Sequence, residues 1–258
     1  MPIFKIATWN VNSLRVRLPH VLTWLRDVEP HVLAVQETKL PDEDFPLDAI
    51  HEAGYTAIFA GQRTYNGVAI FSREKTTEMI TDIPELDDHQ RRVLGATIDG
   101  IRILNLYVPN GERVGSEKYQ YKLNWLNKLD AFLKEELKKY DRMIVLGDFN
   151  IAPEEIDVHD PRLWEGQVLF SEPERNAFRN MLKVGFQDCF RLHSPSEKSY
   201  TWWDYRLGAF RRNMGLRIDH ILASNALAPQ CVKCEIDKAP RTWERPSDHV
   251  PVIAEFSI

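Results

Sequence analysis

The chain is short of positive charge: 33 lysines and arginines face 38 aspartates and glutamates, a net charge of −5. That excludes a surface that binds polyanions everywhere, so any nucleic-acid contact must come from a local basic patch. Long apolar runs are also missing, and no segment reads as a membrane span. Residues 3–9 read as a strand, without the basic and apolar regions of a secretory signal, which predicts a cytoplasmic protein. Cysteine is scarce. The three present are Cys189, Cys231 and Cys234; any disulfide would strand one of them, as suits a reducing compartment. Cys231 and Cys234 make a lone CxxC. Zinc would need a second such pair or two suitably spaced histidines, and neither is there, so a strand cysteine pair is expected over a redox motif. Low-complexity linkers are absent too, and residues 1–258 are expected to form a single domain, with 43% hydrophobic residues to supply its core.

What the chain does have is a repeated grammar of short apolar runs ending in polar side chains. Met143-Ile144-Val145-Leu146 runs into Gly147-Asp148-Phe149-Asn150. Ile6 to Trp9 leads to Asn10 and Asn12, Val32 to Val35 to Gln36 and Glu37, and Ile101 to Leu106 to Tyr107 and Asn110. Asp219 and His220 lie in another such run, and Ser247-Asp248-His249 precedes the last one. Runs of this kind read as buried strands, and polar residues at their ends meet at the rim of a sheet. Oxygen ligands plus a histidine suit a hard divalent cation and acid–base chemistry.

Strands are expected near 3–9, 32–36, 56–60, 67–72, 93–98, 101–107, 143–148, 200–203, 218–223, 231–236 and 250–257. Helices are expected at 19–28, 119–139 and 173–184. Leu126, Leu129, Leu133 and Leu137 share one helical face, with lysines and glutamates opposite. Strand runs adjoin one another more often than they alternate with helices. The pattern therefore predicts an α/β protein of two stacked mixed sheets with helices outside. Both halves carry an amphipathic helix, a short apolar strand and an acidic turn, at Glu37 and at Asp148.

Seven motifs occur in order: Thr8 to Arg15, Gln36-Glu37-Thr38-Lys39, Tyr107 to Gly111, Leu146 to Asn150, Trp202 to Arg206, Gly215 to His220 and Ser247-Asp248-His249. Together they resemble the exonuclease III family of DNA-repair nucleases, across residues 4–256. Ser13 departs from the family's usual glycine. The resemblance implies a four-layer α/β sandwich, the endonuclease/exonuclease/phosphatase fold. It also implies a phosphodiesterase dependent on Mg²⁺ or Mn²⁺, acting on double-stranded DNA as abasic-site endonuclease, 3′-phosphodiesterase and 3′–5′ exonuclease. A narrower alternative acts chiefly on 3′ ends; a remote one is an inositol-phosphate or lipid-headgroup phosphoesterase. A DNA-binding protein with a dead site is disfavoured by the intact polar groups.

The resemblance also implies residue roles. Glu37 would bind the metal, with Asn10, Asp148, Asn150, Asp248 and His249 around it. Asp148 would orient or deprotonate water, Asn150 would hold water or phosphate, and Tyr107 would offer its hydroxyl to a phosphate oxygen. Asp219 and His249 would form a dyad with a cationic imidazole. Taken alone, each residue has a plainer reading: a strand-end salt bridge for Glu37, an Asx turn for Asp148, turn capping for Asn12 and a core aromatic for Tyr107. The segment from Arg206 to Arg217 has four arginines and no acid. Its Arg206, Arg211, Arg212, Asn213 and Arg217, with Asn110, are expected to meet phosphates, and Trp203 and Leu216 to line the lesion pocket, with Trp202 in the core. Alternation should turn His220 away from the site. A monomer is expected.

Overall fold

The computed structural model describes residues 2–86, 88–194 and 196–258. In chain order the strands are β1 (Ile3–Asn10), β2 (Val32–Gln36), β3 (Thr56–Ala60), β4 (Val68–Ser72), β5 (Thr77–Ile80), β6 (Val93–Ile98), β7 (Ile101–Tyr107), β8 (Met143–Asp148), β9 (Phe186–Asp188), β10 (Asp219–Ser224), β11 (Cys231–Ile236) and β12 (Val252–Ser257). They form two six-stranded sheets, ordered β11-β12-β1-β2-β4-β3 and β5-β6-β7-β8-β10-β9. Each sheet has one parallel pair, β1 with β2 and β7 with β8. A helix joins each pair: α1 (Leu14–Val28) in the first sheet, and, in the second, α3 (Glu117–Glu136), which follows the short α2 (Leu47–Glu52). Helix, apolar strand and acidic turn thus recur in both sheets, as the sequence pattern indicated.

Strand alternation explains the layers. Ile6, Val32 and Ile70 of one sheet meet Ile103, Ile144, Leu146 and Ile221 of the other in the inner core. Their neighbours Ala7, Trp9, Leu33 and Val35 point outward, onto Val21, Trp24 and Leu25 of α1. Leu104 and Val145 point the other way, onto Trp125, Leu126, Leu129 and Leu133 of α3 and Phe178 of a later helix. Both faces of each central strand are covered, which is why these strands read as continuous apolar runs. The result is four layers: helix, sheet, sheet, helix.

Most expected elements are present, and the differences have physical causes. Helix α1 starts at Leu14, five residues before the expected start, and carries Pro19 inside it. The helix expected at 173–184 is α5 (Glu172–Gly185), after the four-residue α4 (Pro161–Trp164) and before α6 (Cys189–His193). Ser171 and Glu174 form a capping box that fixes the start of α5. Residues 200–203 hold only isolated bridges from Trp202 to Leu216 and His249. Edge strand β5 is mostly exposed and β9 has three residues, so neither carries an apolar period. An irregularity between Cys231 and Lys233 lets Cys231 and Cys234 both face the core. All three cysteines are free and buried. Among the described residues, no helix is long and apolar enough to cross a membrane.

Candidate active site

Register brings the site together. Tyr107 pairs with Asp148, and Asp148 with Asp219, so three side-chain positions align across the ends of β7, β8 and β10. On the facing sheet Asn10 pairs with Gln36, which sets Glu37 just beyond β2. The Ser247–His249 turn leads into β12 beside β1: Ser247 Oγ donates to Asn10 O at 2.7 Å and accepts from His249 N at 3.2 Å. Gly147 is required for the close approach of β7 and β8, since a Cβ there would lie 1.9 Å from Leu106 O.

The Asn10 side chain joins the sheets. Its Nδ2 donates to Glu37 Oε1 at 2.8 Å and to Asp148 Oδ2 at 2.9 Å. Asp148 Oδ1 accepts from Asn150 N at 2.9 Å, an Asx turn, so the turn and the site placement coexist. Asn150 Nδ2 reaches Val108 O at 2.9 Å and Asp148 Oδ2 at 3.4 Å. Glu37 (φ 52°), Asn150 (φ 50°) and Asn12 (φ 45°) are all left-handed without being glycine. Such a backbone costs about 1 kcal/mol or more per residue and persists where the surroundings enforce it.

His249 is buried between two acids. Its Nδ1 sits 2.9 Å from Asp219 Oδ2, and its Nε2 3.8 Å from Asp148 Oδ2. Burial pulls the imidazole pKa down, but Asp219, then Asp148, outweigh it and carry it up to about 10. A cationic ring at neutral pH follows. Burial also raises the Asp148 carboxyl above the usual range, opposed by His249 and reinforced by Asp219. Burial, with the charges of Glu37 and Asp148, holds the Tyr107 phenol well above its ordinary pKa, so it remains an O–H donor.

Ligand atoms of Glu37, Asp148 and His249 lie within 4.8 Å of one another. Two carboxylates around a polar cleft are a donor set that fits a hard divalent cation. Asp248 stands outside that set. Its oxygens accept from Asn12 Nδ2 and from Trp202 Nε1, each at 3.0 Å, so it braces the rim.

Two cavities flank this centre. One of about 580 Å³ is lined by Glu37, Tyr107, Asn110, Arg92, Tyr65 and Lys118. The other, about 560 Å³, is apolar and bounded by His159, Trp164, Trp202, Leu207 and Met214. Arg211, Arg212 and Asn213 are exposed beside it. Arg206 is exposed but paired with Asp204 at 2.6 Å. Asn110 is exposed, and its Nδ2 donates to Asn150 Oδ1 at 3.3 Å.

Three expectations need correction. Arg217 cannot meet phosphate: it is buried, with Nε 2.7 Å from Asp157 and an amino group 2.8 Å from Asp188. Its other amino group donates to His220 Nδ1 at 3.1 Å, while His220 Nε2 donates to Ile151 O at 2.8 Å. His220 is thereby a neutral structural ring facing away from the centre. Trp203 is wholly buried against Tyr200 and Phe210, whereas Trp202 borders the apolar cavity, the reverse of the expected order. Trp202 bridges to Leu216 and His249, which draws it to the site. Leu216 is fully buried and packs with Ala152, Val158, Phe170 and Ile218, behind Trp164 and Trp202.

Sequence reasoning left several participants unassigned. Lys39 Nζ lies 3.0 Å from Glu37 Oε2, and its place in Gln-Glu-Thr-Lys was a usable signal. Thr201 Oγ accepts from the amides of Ile218 and Asp219 and holds the start of β10; nothing local marks it. Arg92 stacks on the Tyr107 ring at 4.7 Å, with no signal beyond its charge.

Residues 7–249 match the Endonuclease/Exonuclease/phosphatase family. Exodeoxyribonuclease III of Haemophilus influenzae is 33% identical over 266 residues, covering 98% of this chain and 99% of that protein. A Neisseria 3′ phosphatase, solved with a product DNA hairpin, superposes with a TM-score of 0.98 at 45% identity, covering 99% of this chain and all (100%) of that one. An AP endonuclease from Archaeoglobus fulgidus gives 0.96 at 42% identity, with 99% and 100% covered.

Proposed function

This chain belongs to the Endonuclease/Exonuclease/phosphatase family, and from that premise we propose that it is a divalent-metal-dependent DNA-repair nuclease. Its substrates are phosphodiesters of double-stranded DNA at abasic sites and at blocked or free 3′ ends. The observation that carries this reading is the convergence of Glu37, Asn10 and Asp148 from two sheets beside a cationic His249.

Each residue has work suited to its chemistry. Glu37, with Asp148 close by, holds the cation, which is Mg²⁺ or Mn²⁺ by its oxygen donors. When bound, that cation supplies positive charge to the phosphate oxygens. Asp148 orients and accepts a proton from water, Asn150 and Asn10 fix Asp148, and Tyr107 donates to a phosphate oxygen. His249, kept protonated by Asp219, stabilises the negative charge that gathers on phosphorus-bound oxygen. Arg211, Arg212, Asn213 and Asn110 take the flanking backbone, and the apolar cavity beside Trp202 admits a base-free sugar. Extruding such a sugar costs less than extruding a stacked base. The chain acts as a monomer of one catalytic domain.

A second reading, cleavage at 3′ ends with little abasic incision, is favoured by Trp164 and His159, whose rings stand 6.4 Å apart in the apolar cavity. The deciding assay follows cleavage of abasic, 3′-blocked and undamaged duplexes with Mg²⁺ and with chelator. Metal-dependent cleavage of the first two supports the main reading. Cleavage of 3′ ends alone supports the second, and no cleavage of DNA overturns both.

A further inference from the structure

Helix α3 turns one lysine inward. Lys122 is fully buried, and its ammonium donates to Asn150 O at 2.6 Å, Asn110 O at 3.1 Å and Glu174 Oε1 at 2.5 Å. Three N–H groups thus meet three acceptors, the condition under which a buried cation is tolerated. Glu174 is equally buried. It also accepts from Leu169 N and Ser171 N, each at 3.1 Å, and Ser171 Oγ meets Tyr119 OH at 2.7 Å. The pair therefore ties three chain segments together: the turn after β7, the turn after β8 and the loop entering α5. Gly111 fits this arrangement, because a Cβ there would meet Lys122 Cδ at 3.1 Å and Val168 Cγ2 at 3.2 Å.

The two bonded carbonyls belong to residues whose side chains face the reaction centre. Asn150 holds a left-handed φ of 50° while its amide and side chain bond the two oxygens of Asp148. That conformation needs enforcement from outside the residue. Asn110 Nδ2 donates to the Asn150 side-chain oxygen.

We propose that Lys122 is a positioning residue for the hydrolysis: its ammonium, with its charge neutralised by Glu174, itself pins the Asn150 and Asn110 carbonyls and thereby holds the amides around Asp148. Lys122 never touches substrate. Its loss lets Asn150 relax and frees Asp148, which slows the chemical step. DNA binding falls only slightly, because the exposed arginines lie elsewhere and Asn110 is the one DNA-contacting residue that Lys122 holds. The inference rests on the nuclease reading above.

The test is the charge-free pair Lys122→Met/Glu174→Gln, in which the glutamine still offers an acceptor to the α5 cap. Removing both charges avoids stranding one of them, so the pair is expected to melt above Lys122→Met alone. Turnover on a 3′-blocked duplex is expected to fall about ten- to one-hundred-fold, with KM within about three-fold, the range for loss of a supporting group behind a site. A folded pair with the parent's kcat overturns the proposal. If the pair does not fold, Glu174→Gln alone decides. It keeps both carbonyl bonds from Lys122, so kcat should stay within about two-fold while stability falls. A ten-fold or greater loss of turnover in Glu174→Gln would assign the effect to packing of α5 and overturn the proposal. The unsubstituted chain is assayed alongside. Its failure to cleave DNA would sink the nuclease reading instead.

Discussion

His249 lies between Asp219 and Asp148, with Nδ1 2.9 Å from the first and Nε2 3.8 Å from the second. The two carboxylates stand on neighbouring strands in direct register. One imidazole therefore senses both, and its protonation depends on each.

This gives a pH prediction. Asp219 is the leading influence raising the His249 pKa, against the downward pull of burial. Because the folded pKa is raised, the cationic form is present at neutral pH and is lost as pH rises through about 10. In Asp219→Asn that loss should begin at lower pH. We expect kcat to fall about 100-fold or more, and the alkaline limb of the kcat profile to move down. An unmoved limb would detach His249 from Asp219.

Metal dependence is expected to centre on Glu37. Excess EDTA should abolish cleavage, and Mg²⁺ or Mn²⁺ should restore it. Glu37→Gln removes a carboxylate whose oxygen lies 2.8 Å from Asn10. The variant should need about ten-fold or more Mg²⁺ for half-maximal activity, since hard cations are held by anionic oxygen. Unchanged activation would place the ion elsewhere.

The arginines of the segment that follows Trp203 should separate by role. Arg211 and Arg212 are exposed. Replacing both with alanine should weaken binding of every duplex alike and flatten log K against log salt by about 0.9 per lost phosphate contact. Arg217→Met should leave that slope alone. It strands the buried Asp188 carboxylate and leaves Asp157 with Arg191 alone, at a cost of about 3–5 kcal/mol of stability. Urea denaturation and salt titration measure the two effects separately.

Much of this site can be read from sequence because strand ends carry it. Glu37 and Asp148 each follow an apolar run, and such a run admits few structures. His249 was legible through its neighbours Ser247 and Asp248. Other parts depend on contacts between distant segments. Arg217 looks like a surface cation until Asp157 and Asp188 arrive from a distant turn and from the end of β9. Lys122 sits on an amphipathic helix whose lysines mostly face water. Trp202 and Trp203 are adjacent in a stretch without regular structure, so no periodicity distinguishes the inward ring from the one at the cavity.

Lesion choice should be governed by the loop between β8 and α5. Trp164 of that loop borders the same apolar cavity as Trp202, and its indole nitrogen is buried without a partner. Among the described residues, no Asp, Glu, His or Cys between Ile151 and Phe170 joins the cluster of Glu37, Asp148 and His249. The volume of the cavity and the chemistry of the centre are thus separable. A gap narrowed by the Trp164 ring favours a frayed 3′ terminus over a sugar inside a continuous strand. Trp164→Gly widens it. We expect the ratio of abasic incision to 3′-end removal to rise about ten-fold or more, an effect of the size that reshaping a binding pocket produces. The Mg²⁺ requirement should not change. Measuring both activities on matched duplexes decides the point. Equal effects on the two substrates would move the discrimination to the wall formed by Leu216 and Ile218, which packs behind Trp202.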